Sequence, residues 1–153
     1  MNNQPIFLTQ KGFDSLKAEL EDLLNTKLPQ AVERVSRARE FGDLSENSEY
    51  HAAREDHAWI QGRIEELTDI VSRAQVVNNN GTNQVAIGCS VTVTVNGGSH
   101  EFHIVGEWEA DPAAKKISHK SPLGEALIGK KVGESIEVDA PAGKIKYTIA
   151  EIK

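Results

Sequence analysis

The chain has 153 residues, of which 39% are hydrophobic and 26% charged, and its formal net charge is −6 at pH 7. This length allows one ordinary domain or two small ones and excludes neither, while the negative charge excludes the usual electrostatic pattern of a duplex-binding protein. Cys89 is the only cysteine, which excludes an internal disulfide and a CxxC metal or redox pair, so we expect it to be a buried, inert thiol.

The N-terminus carries no recognisable targeting signal. MNNQPIFLTQKG lacks a basic region followed by an apolar run, and nowhere do about 18 apolar residues follow one another. We therefore expect a soluble, cytoplasmic protein with no membrane partner. Residues 1–75 have 9 Lys/Arg against 14 Asp/Glu, and residues 76–153 have 8 against 9. Neither half is therefore expected to bind phosphate groups without a partner.

The first predicted element is a long helix. Thr9 is a suitable N-cap before an apolar pattern that includes Phe13, Leu16 and Leu20. Further along, apolar residues alternate in spacing between four and three, as in a coiled-coil seam: Leu24, Leu28, Ala31, Val35 and Ala38. Pro29 interrupts this run, and we expect it to kink the helix.

A second helix with the same periodicity follows EFGDLSENSEY, residues 40–50. Its seam positions are Tyr50, Ala53, His57, Ile60, Ile64, Leu67, Val71 and Ala74. Two such segments joined by a short connection must fold back antiparallel, because each seam needs an apolar partner. We predict a helical hairpin over residues 1–77, with an acidic tip around 41–50 and arms on the order of 45 Å long.

The composition changes near Val76, where NNNGTNQ predicts a linker over residues 78–84. Beyond it, SVTVTV, the turn residues NGGS and the run HEFHIV predict a β-hairpin. Ser121 and Pro122 favour a short helix that Gly129 closes, and the strands ESIEV and KIKYTIAEI finish the chain. The fold class is therefore α+β, with the second domain over residues 85–153.

Several kinds of catalytic site lack their sequence patterns. The five histidines have no HExxH spacing, no GxSxG elbow is present, and NGGS lacks the continuation of a phosphate-binding loop. Within the predicted β-domain, the lysine pairs at 115–116 and 130–131 are more typical of solvated surface. A candidate functional site therefore has to be sought among other residues.

The acids of the predicted tip allow two interpretations. Asp43 and Glu46 have the spacing of a capping box, with Gly42 permitting a turn and Glu49 solvated in the first helical turn, and spacing alone favours this interpretation. Alternatively, the two carboxylates bind one divalent cation and bring it to the phosphoryl-transfer centre of another molecule. Mg²⁺ suits such a site.

REFGDLSENSEYHAARE strongly resembles the tip of the bacterial Gre transcript cleavage factors, which act on RNA polymerase, and the match is closest to the GreA type. The resemblance continues from LTQKGFDSLKAEL through GRIEEL to SPLGEALIGKKVGESIEV. It implies an N-terminal antiparallel α-helical coiled-coil hairpin followed by a small FKBP-like α+β domain. It also implies that this domain docks at the rim of the polymerase secondary channel, while the hairpin reaches toward the active centre.

The resemblance implies a role for each tip residue. Asp43 and Glu46 would hold a Mg²⁺ ion jointly with the polymerase for cleavage of a backtracked RNA 3′ end, so the protein would be no enzyme and would bind no cofactor tightly by itself. The residues that match the shape of the family tip are Gly42, Leu44, Ser45, Asn47 and Tyr50. Arg39 and Arg54 match basic positions that contact RNA or polymerase, although ion pairs with Glu40, Glu49 or Glu55 are an equal alternative.

Some positions depart from the family pattern: Leu28 stands where arginine is frequent, Glu125 where a basic residue is frequent, and Phe41 where histidine is common. These departures bear on how strongly the protein would bind RNA and dock on the polymerase. Two alternative functions stay open, namely a Gre homologue that occupies the channel without stimulating cleavage, and a coiled-coil chaperone or prolyl isomerase of FKBP-like type. Asp43 and Glu46 argue against the first, and the few aromatic residues of the β-domain against the second.

Overall fold

The structure is a computed structural model that describes residues 3–78 and 83–153. Its helices are α1 (Gln10–Asp22), a π-helical turn (Leu23–Lys27), α2 (Leu28–Arg39), α3 (Ser48–Arg73) and α4 (Pro122–Leu127). Its strands are β1 (Ile6–Leu8), β2 (Ala74–Val76), β3 (Ser90–Val95), β4 (Gly98–Val105), β5 (Lys116–Ser118), β6 (Ser135–Ala140) and β7 (Gly143–Ile152). The predicted α+β class is confirmed. Residues 79–82 of the predicted linker lie outside the described residues.

The predicted helical hairpin is confirmed, with α1, the π turn and α2 in the first arm and α3 in the second. The buried apolar residues of its two arms are Leu23, Ala31, Ala38, Tyr50, Ala53, Leu67 and Ile70. The predicted seam position at Leu24 is wrong, because Leu24 is 44% exposed and the neighbouring Leu23, at 6%, is buried instead. No helix within the described ranges is long and apolar enough to cross a membrane.

The π turn explains the error at Leu24. The backbone N–H of Leu28 bonds the carbonyl oxygen of Leu23, five residues back, so the seam passes from the buried Leu23 to the half-buried Leu28 rather than from Leu24 to Leu28. Pro29 follows immediately, and a proline ring crowds the carbonyl four residues before it in a regular α-helix. A wider turn at this point relieves that crowding. The interruption expected at Pro29 therefore takes the form of a local π turn.

The sequence did not predict β1 or β2, which pair in parallel with Ile6 opposite Ala74 and Leu8 opposite Val76. Ala74 was expected to continue the helical seam, but it begins a strand instead. Because of this pairing, residues up to Phe13 group with Ala74–Lys153 in one compact unit, and Asp14–Arg73 form the other. These units differ from the predicted boundaries of 1–77 and 85–153.

The beginning of α1 is fixed within the first of these units. Thr9 is the N-cap, as predicted, and its hydroxyl accepts the Gly12 N–H at 3.0 Å. The Glu109 carboxylate accepts the backbone N–H of Thr9 at 2.9 Å and the Thr9 hydroxyl, and it also accepts the N–H of Gly106 at 3.2 Å. This one carboxylate thus joins the start of α1 to the segment that follows β4.

A five-stranded sheet in the order β5-β4-β3-β7-β6 forms the rest of this unit. Its pairs are antiparallel except β4 with β5, and the predicted β3–β4 hairpin turns through Asn96 and Gly97, both with positive φ. The predicted helix is α4, whose N-cap Ser121 accepts the N–H of Gly124 at 3.0 Å. The buried core residues are Val85, Cys89, Val91, Val93, Ile104, Leu127, Ile136 and Ile149. Cys89 is 1% exposed, which confirms a buried thiol.

Candidate functional site

The turn between α2 and α3 is closed by Asn47. Its side-chain amide donates to the carbonyl oxygen of Ala38 at 2.6 Å, and its Oδ1 accepts the backbone N–H of Tyr50 at 3.0 Å. The second bond makes Asn47 the N-cap of α3. The alternative interpretation of Asp43 and Glu46 as the capping box is therefore wrong, because the helix begins at Ser48.

Asp43 shapes the turn through one carboxylate oxygen. Its Oδ1 accepts the backbone N–H of Ser45 at 3.1 Å and the Ser45 hydroxyl at 2.9 Å, a local turn typical of aspartate. Its other oxygen, Oδ2, has no hydrogen-bond partner within the described ranges. Gly42 precedes it with a φ of 109°, an angle that glycine adopts without the steric cost of a Cβ, and so permits the turn as predicted.

Glu46 is exposed, and among residues 3–78 and 83–153 its carboxylate makes no hydrogen bond and no ion pair. Leu44 beside it is 41% exposed. No group of three or more His, Cys, Asp or Glu side chains in the described part of the chain is placed to hold a metal ion. Two exposed carboxylates supply the hard oxygen ligands that Mg²⁺ takes, and the remaining ligands must come from water or a partner. The chemistry of these two donors fits Mg²⁺.

The base of the tip is a small apolar cluster. Ala38, Tyr50 and Ala53 are buried, and Val35 packs against them. Two guanidinium groups lie by the Tyr50 ring: the central carbon of Arg39 is 5.9 Å from the ring centroid, and that of Arg54 is 5.7 Å. Both distances are in the range of a cation–π interaction.

The ion pairs offered as the alternative role of Arg39 and Arg54 are not formed in the described structure. Glu49 instead pairs with Arg34 of α2, whose Nε donates at 2.7 Å, and Arg34 also donates to Asp56. The hydrogen bond from Arg34 lowers the pKa of Glu49 below its ordinary value and, reciprocally, the pKa of Arg34 is raised. Glu49 is thereby tied to α2 rather than free at the tip.

A second cross-helix ion pair lies further along the hairpin. Arg63 donates to the two carboxylate oxygens of Glu19 at 2.8 and 3.0 Å and to Glu66 at 2.7 Å, and these bonds raise the pKa of Arg63. The heptad pattern did not identify Arg34 or Arg63 as cross-helix partners. Periodicity identifies the seam of each helix but not which charged residues face each other across it.

Comparison with known proteins gives a consistent result over the whole chain. A model of the N-terminal part of the transcription elongation factors GreA and GreB matches residues 6–76, and a model of their C-terminal part matches residues 80–153. The transcription elongation factor GreA of Caldanaerobacter subterraneus subsp. tengcongensis is 46% identical over 156 residues, which cover 99% of each chain.

GreA of Lactococcus lactis subsp. cremoris strain SK11 is 44% identical over 149 residues, covering 95% of this chain and 96% of the relative. A solved structure, that of the GreA factor homolog 1 (Gfh1) protein of Thermus thermophilus, is 29% identical with a TM-score of 0.47. That alignment covers 98% of this chain and 99% of the other.

Proposed function

The chain belongs to the GreA/GreB family of transcription elongation factors, and from this premise we propose that it stimulates the Mg²⁺-dependent cleavage of backtracked RNA by bacterial RNA polymerase. The hairpin enters the secondary channel, and the β-domain docks at the channel rim. The polymerase carries out the hydrolysis, and the protein acts in the cytoplasm as a factor that restarts arrested complexes.

The observation that carries the proposal is that the residue closing the turn is not one of the two candidate metal ligands. Asn47 makes the bonds that close the turn, to Ala38 and Tyr50. Glu46 takes part in no hydrogen bond within the described structure, and Asp43 uses only one of its two oxygens. The Glu46 carboxylate and the second oxygen of Asp43 are therefore available to a metal or to water.

The residues of the tip would contribute to the reaction in different ways. Asp43 and Glu46 would hold Mg²⁺ together with groups of the polymerase, and this ion would supply charge stabilisation and a more acidic water when bound. Arg39 and Arg54 would contact the RNA backbone near the 3′ end. The 26 residues of α3 span about 39 Å, which gives the hairpin the length to deliver these side chains deep into a channel.

The test is an RNA cleavage assay on purified, backtracked polymerase complexes. The wild-type chain is expected to accelerate shortening of the RNA from its 3′ end, and D43N combined with E46Q is expected to return the rate to that of polymerase alone. The amide introduced by D43N keeps an oxygen acceptor for Ser45, so the turn is retained. Binding to polymerase, measured by competition with the wild-type chain, should persist in the double variant.

The matched control is E40Q combined with E55Q, which removes the same charge from two exposed acids that have no partner in the described structure. This control should stimulate cleavage as the wild type does. Equal activity of D43N/E46Q and wild type would contradict the proposed role of the acids. If the wild-type chain binds polymerase but does not stimulate cleavage, it is instead a homologue that occupies the channel.

A further inference from the structure

Arg39 and Arg54 differ from every other arginine of the chain. The remaining four each pair with a carboxylate: Arg34 with Glu49 and Asp56, Arg37 with Glu33, Arg63 with Glu19 and Glu66, and Arg73 with Asp69. Arg39 and Arg54 pair with no acid in the described part of the chain. In a protein with 23 acidic residues and a net charge of −6, the lack of an acidic partner sets these two exposed arginines apart.

Both arginines lie instead by the ring of Tyr50. The side chain is only 7% exposed, and both guanidinium groups lie within 6 Å of its centroid. Arg39 belongs to α2, whereas Arg54 and Tyr50 belong to α3, so one ring brings together cations from the two arms of the hairpin. A guanidinium that lies on a ring keeps the N–H donors at its edge available to an anion.

The surroundings of the two arginines suit an anion. Both line a groove of about 570 Å³ that continues along the hairpin, and none of its lining residues is an acid. Ser36, His57 and Gln61 add further hydrogen-bonding side chains to its wall. The groove on the Arg34 side contrasts with this one, because Asp56 lines it.

We propose that Tyr50 is a positioning residue that holds Arg39 and Arg54 as a paired guanidinium site for one phosphodiester of the extruded RNA. The inference rests on the proposed function, since RNA reaches the tip only within a backtracked complex. A phosphate offers several acceptor oxygens to two planar donors, which makes it a better match than a single point charge. The ring fixes the separation of the two cations before RNA arrives, and so reduces the entropy lost on binding.

The experiment compares Y50L with Y50F in the cleavage assay, over a range of factor concentrations. Leucine at position 50 keeps an apolar side chain but removes the ring, and we expect it to raise the half-saturating concentration about five- to thirty-fold, the effect of losing two cation–π contacts. Phenylalanine keeps the ring, and the Tyr50 hydroxyl has no partner in the described structure, so Y50F should keep the wild-type value. Equal half-saturating concentrations for the two variants would overturn the inference.

The nature of the anion is tested with RNA that carries neutral methylphosphonate linkages in the extruded segment, beyond the cleaved bond. If the arginines bind an RNA phosphate, one placement of the neutral linkage should abolish the difference between Y50L and Y50F. A difference that survives every placement would show that the arginines bind no phosphate of this RNA segment, and the phosphodiester site would be wrong.

A readout on the free chain separates this inference from the proposed function. NMR order parameters of the arginine Nε–H groups should fall for Arg39 and Arg54 in Y50L, while Arg37, which pairs with Glu33, serves as the internal control. Unchanged order of Arg39 and Arg54 would contradict positioning by the ring even if the wild-type chain stimulated no cleavage. Should Y50L fail to fold, R39K with R54K keeps the charges but weakens the ring contacts, and it should raise the half-saturating concentration in the same way.

Discussion

The side-chain amide of Asn47 lies 2.6 Å from the carbonyl oxygen of Ala38, so the last turn of α2 is bonded directly to the N-cap residue of α3. The same side chain caps α3 through the N–H of Tyr50. One residue therefore satisfies a backbone acceptor of one helix and a backbone donor of the next. Asp43 and Glu46, in the turn between the two helices, are therefore not needed to cap α3.

Replacement of Asn47 by alanine should destabilise the hairpin without removing either acid. Loss of the cap alone costs about 1 kcal/mol in typical proteins, and loss of the bond to Ala38 adds to it. N47D is the matched control, because aspartate keeps the capping oxygen but cannot donate to Ala38. In urea unfolding, the free energy of unfolding should be highest for wild type, lower for N47D and lowest for N47A. Equal stability of N47A and wild type would contradict the role of Asn47 in capping α3 and in bonding Ala38.

The ion pair between Arg34 and Glu49 should make stability depend on pH. Arg34 lowers the pKa of Glu49 below the ordinary value of 4.5, so the pair contributes stability above pH 4.5 and loses it as pH falls through the lower, folded value. The difference in melting temperature between wild type and E49Q should therefore shrink in acid. It should also shrink in high salt, because the pair is exposed.

E55Q provides the control for this pH dependence, since Glu55 is exposed on the same helix and has no partner in the described structure. Its melting temperature should follow that of wild type from neutral pH down through the acid transition. A difference between E49Q and wild type that stays constant over that range would show that Arg34 does not stabilise ionised Glu49.

Gly12 and Gly62 should respond oppositely to alanine. A Cβ on Gly12 would lie 1.9 Å from Oε1 of Glu109, and moving that carboxylate breaks its bonds to Thr9. We expect G12A to lower the free energy of unfolding by about 1–3 kcal/mol. Nothing lies within 4 Å of a Cβ on Gly62, inside α3, so G62A should raise it by about 0.5–1 kcal/mol.

Thermal unfolding of both variants tests this pair of predictions. G12A with Glu109 also replaced by alanine should recover part of the loss due to the clash, although it lacks the bonds to Thr9. A stable G12A would mean that Glu109 has a second favourable position. A destabilised G62A would mean that a partner lies against that face of α3.

Alanine at Gly42 should impair activity more than stability. The φ of 109° is unfavourable for a residue with a Cβ, although no atom lies within 4 Å to clash with it. The expected cost is about 1–3 kcal/mol if the angle is kept, and a rearranged turn would lower it while redirecting Asp43. Cleavage stimulation should fall several-fold at a factor concentration that saturates wild type. A fully active G42A would show that the direction of the turn is unimportant.

The elements predicted correctly from sequence are those with strong local signals. Heptad spacing predicted the hairpin, strict alternation around Asn96 and Gly97 predicted the β3–β4 pair, and Ser121 predicted the start of α4. The π turn was missed because Leu23 and Leu24 are adjacent and both fit a helical period. The steric requirement of Pro29 decides between them, and hydrophobic periodicity does not report it.

Non-local contacts account for the other differences. The strands β1 and β2 have three residues each and pair Ile6 with the distant Ala74, so neither shows a period of its own. At the tip, both Asp43 and Asn47 are good capping residues, and the sequence does not reveal which one the helix uses. The bonds of Asn47 to Ala38 and Tyr50 decide it. The contact of Tyr50 with a guanidinium of the other arm likewise depends on how two helices meet.

The parallel pairing of β1 with β2 has a consequence for how such a chain can vary. The strands that lead into and out of the hairpin lie side by side, so Asp14–Arg73 is an insertion within a host domain that is continuous in space. An insertion of this kind can gain or lose matched heptads in both arms while the register of Ile6 with Ala74 stays fixed. The reach of the tip and the surface of the host domain are therefore separately adjustable.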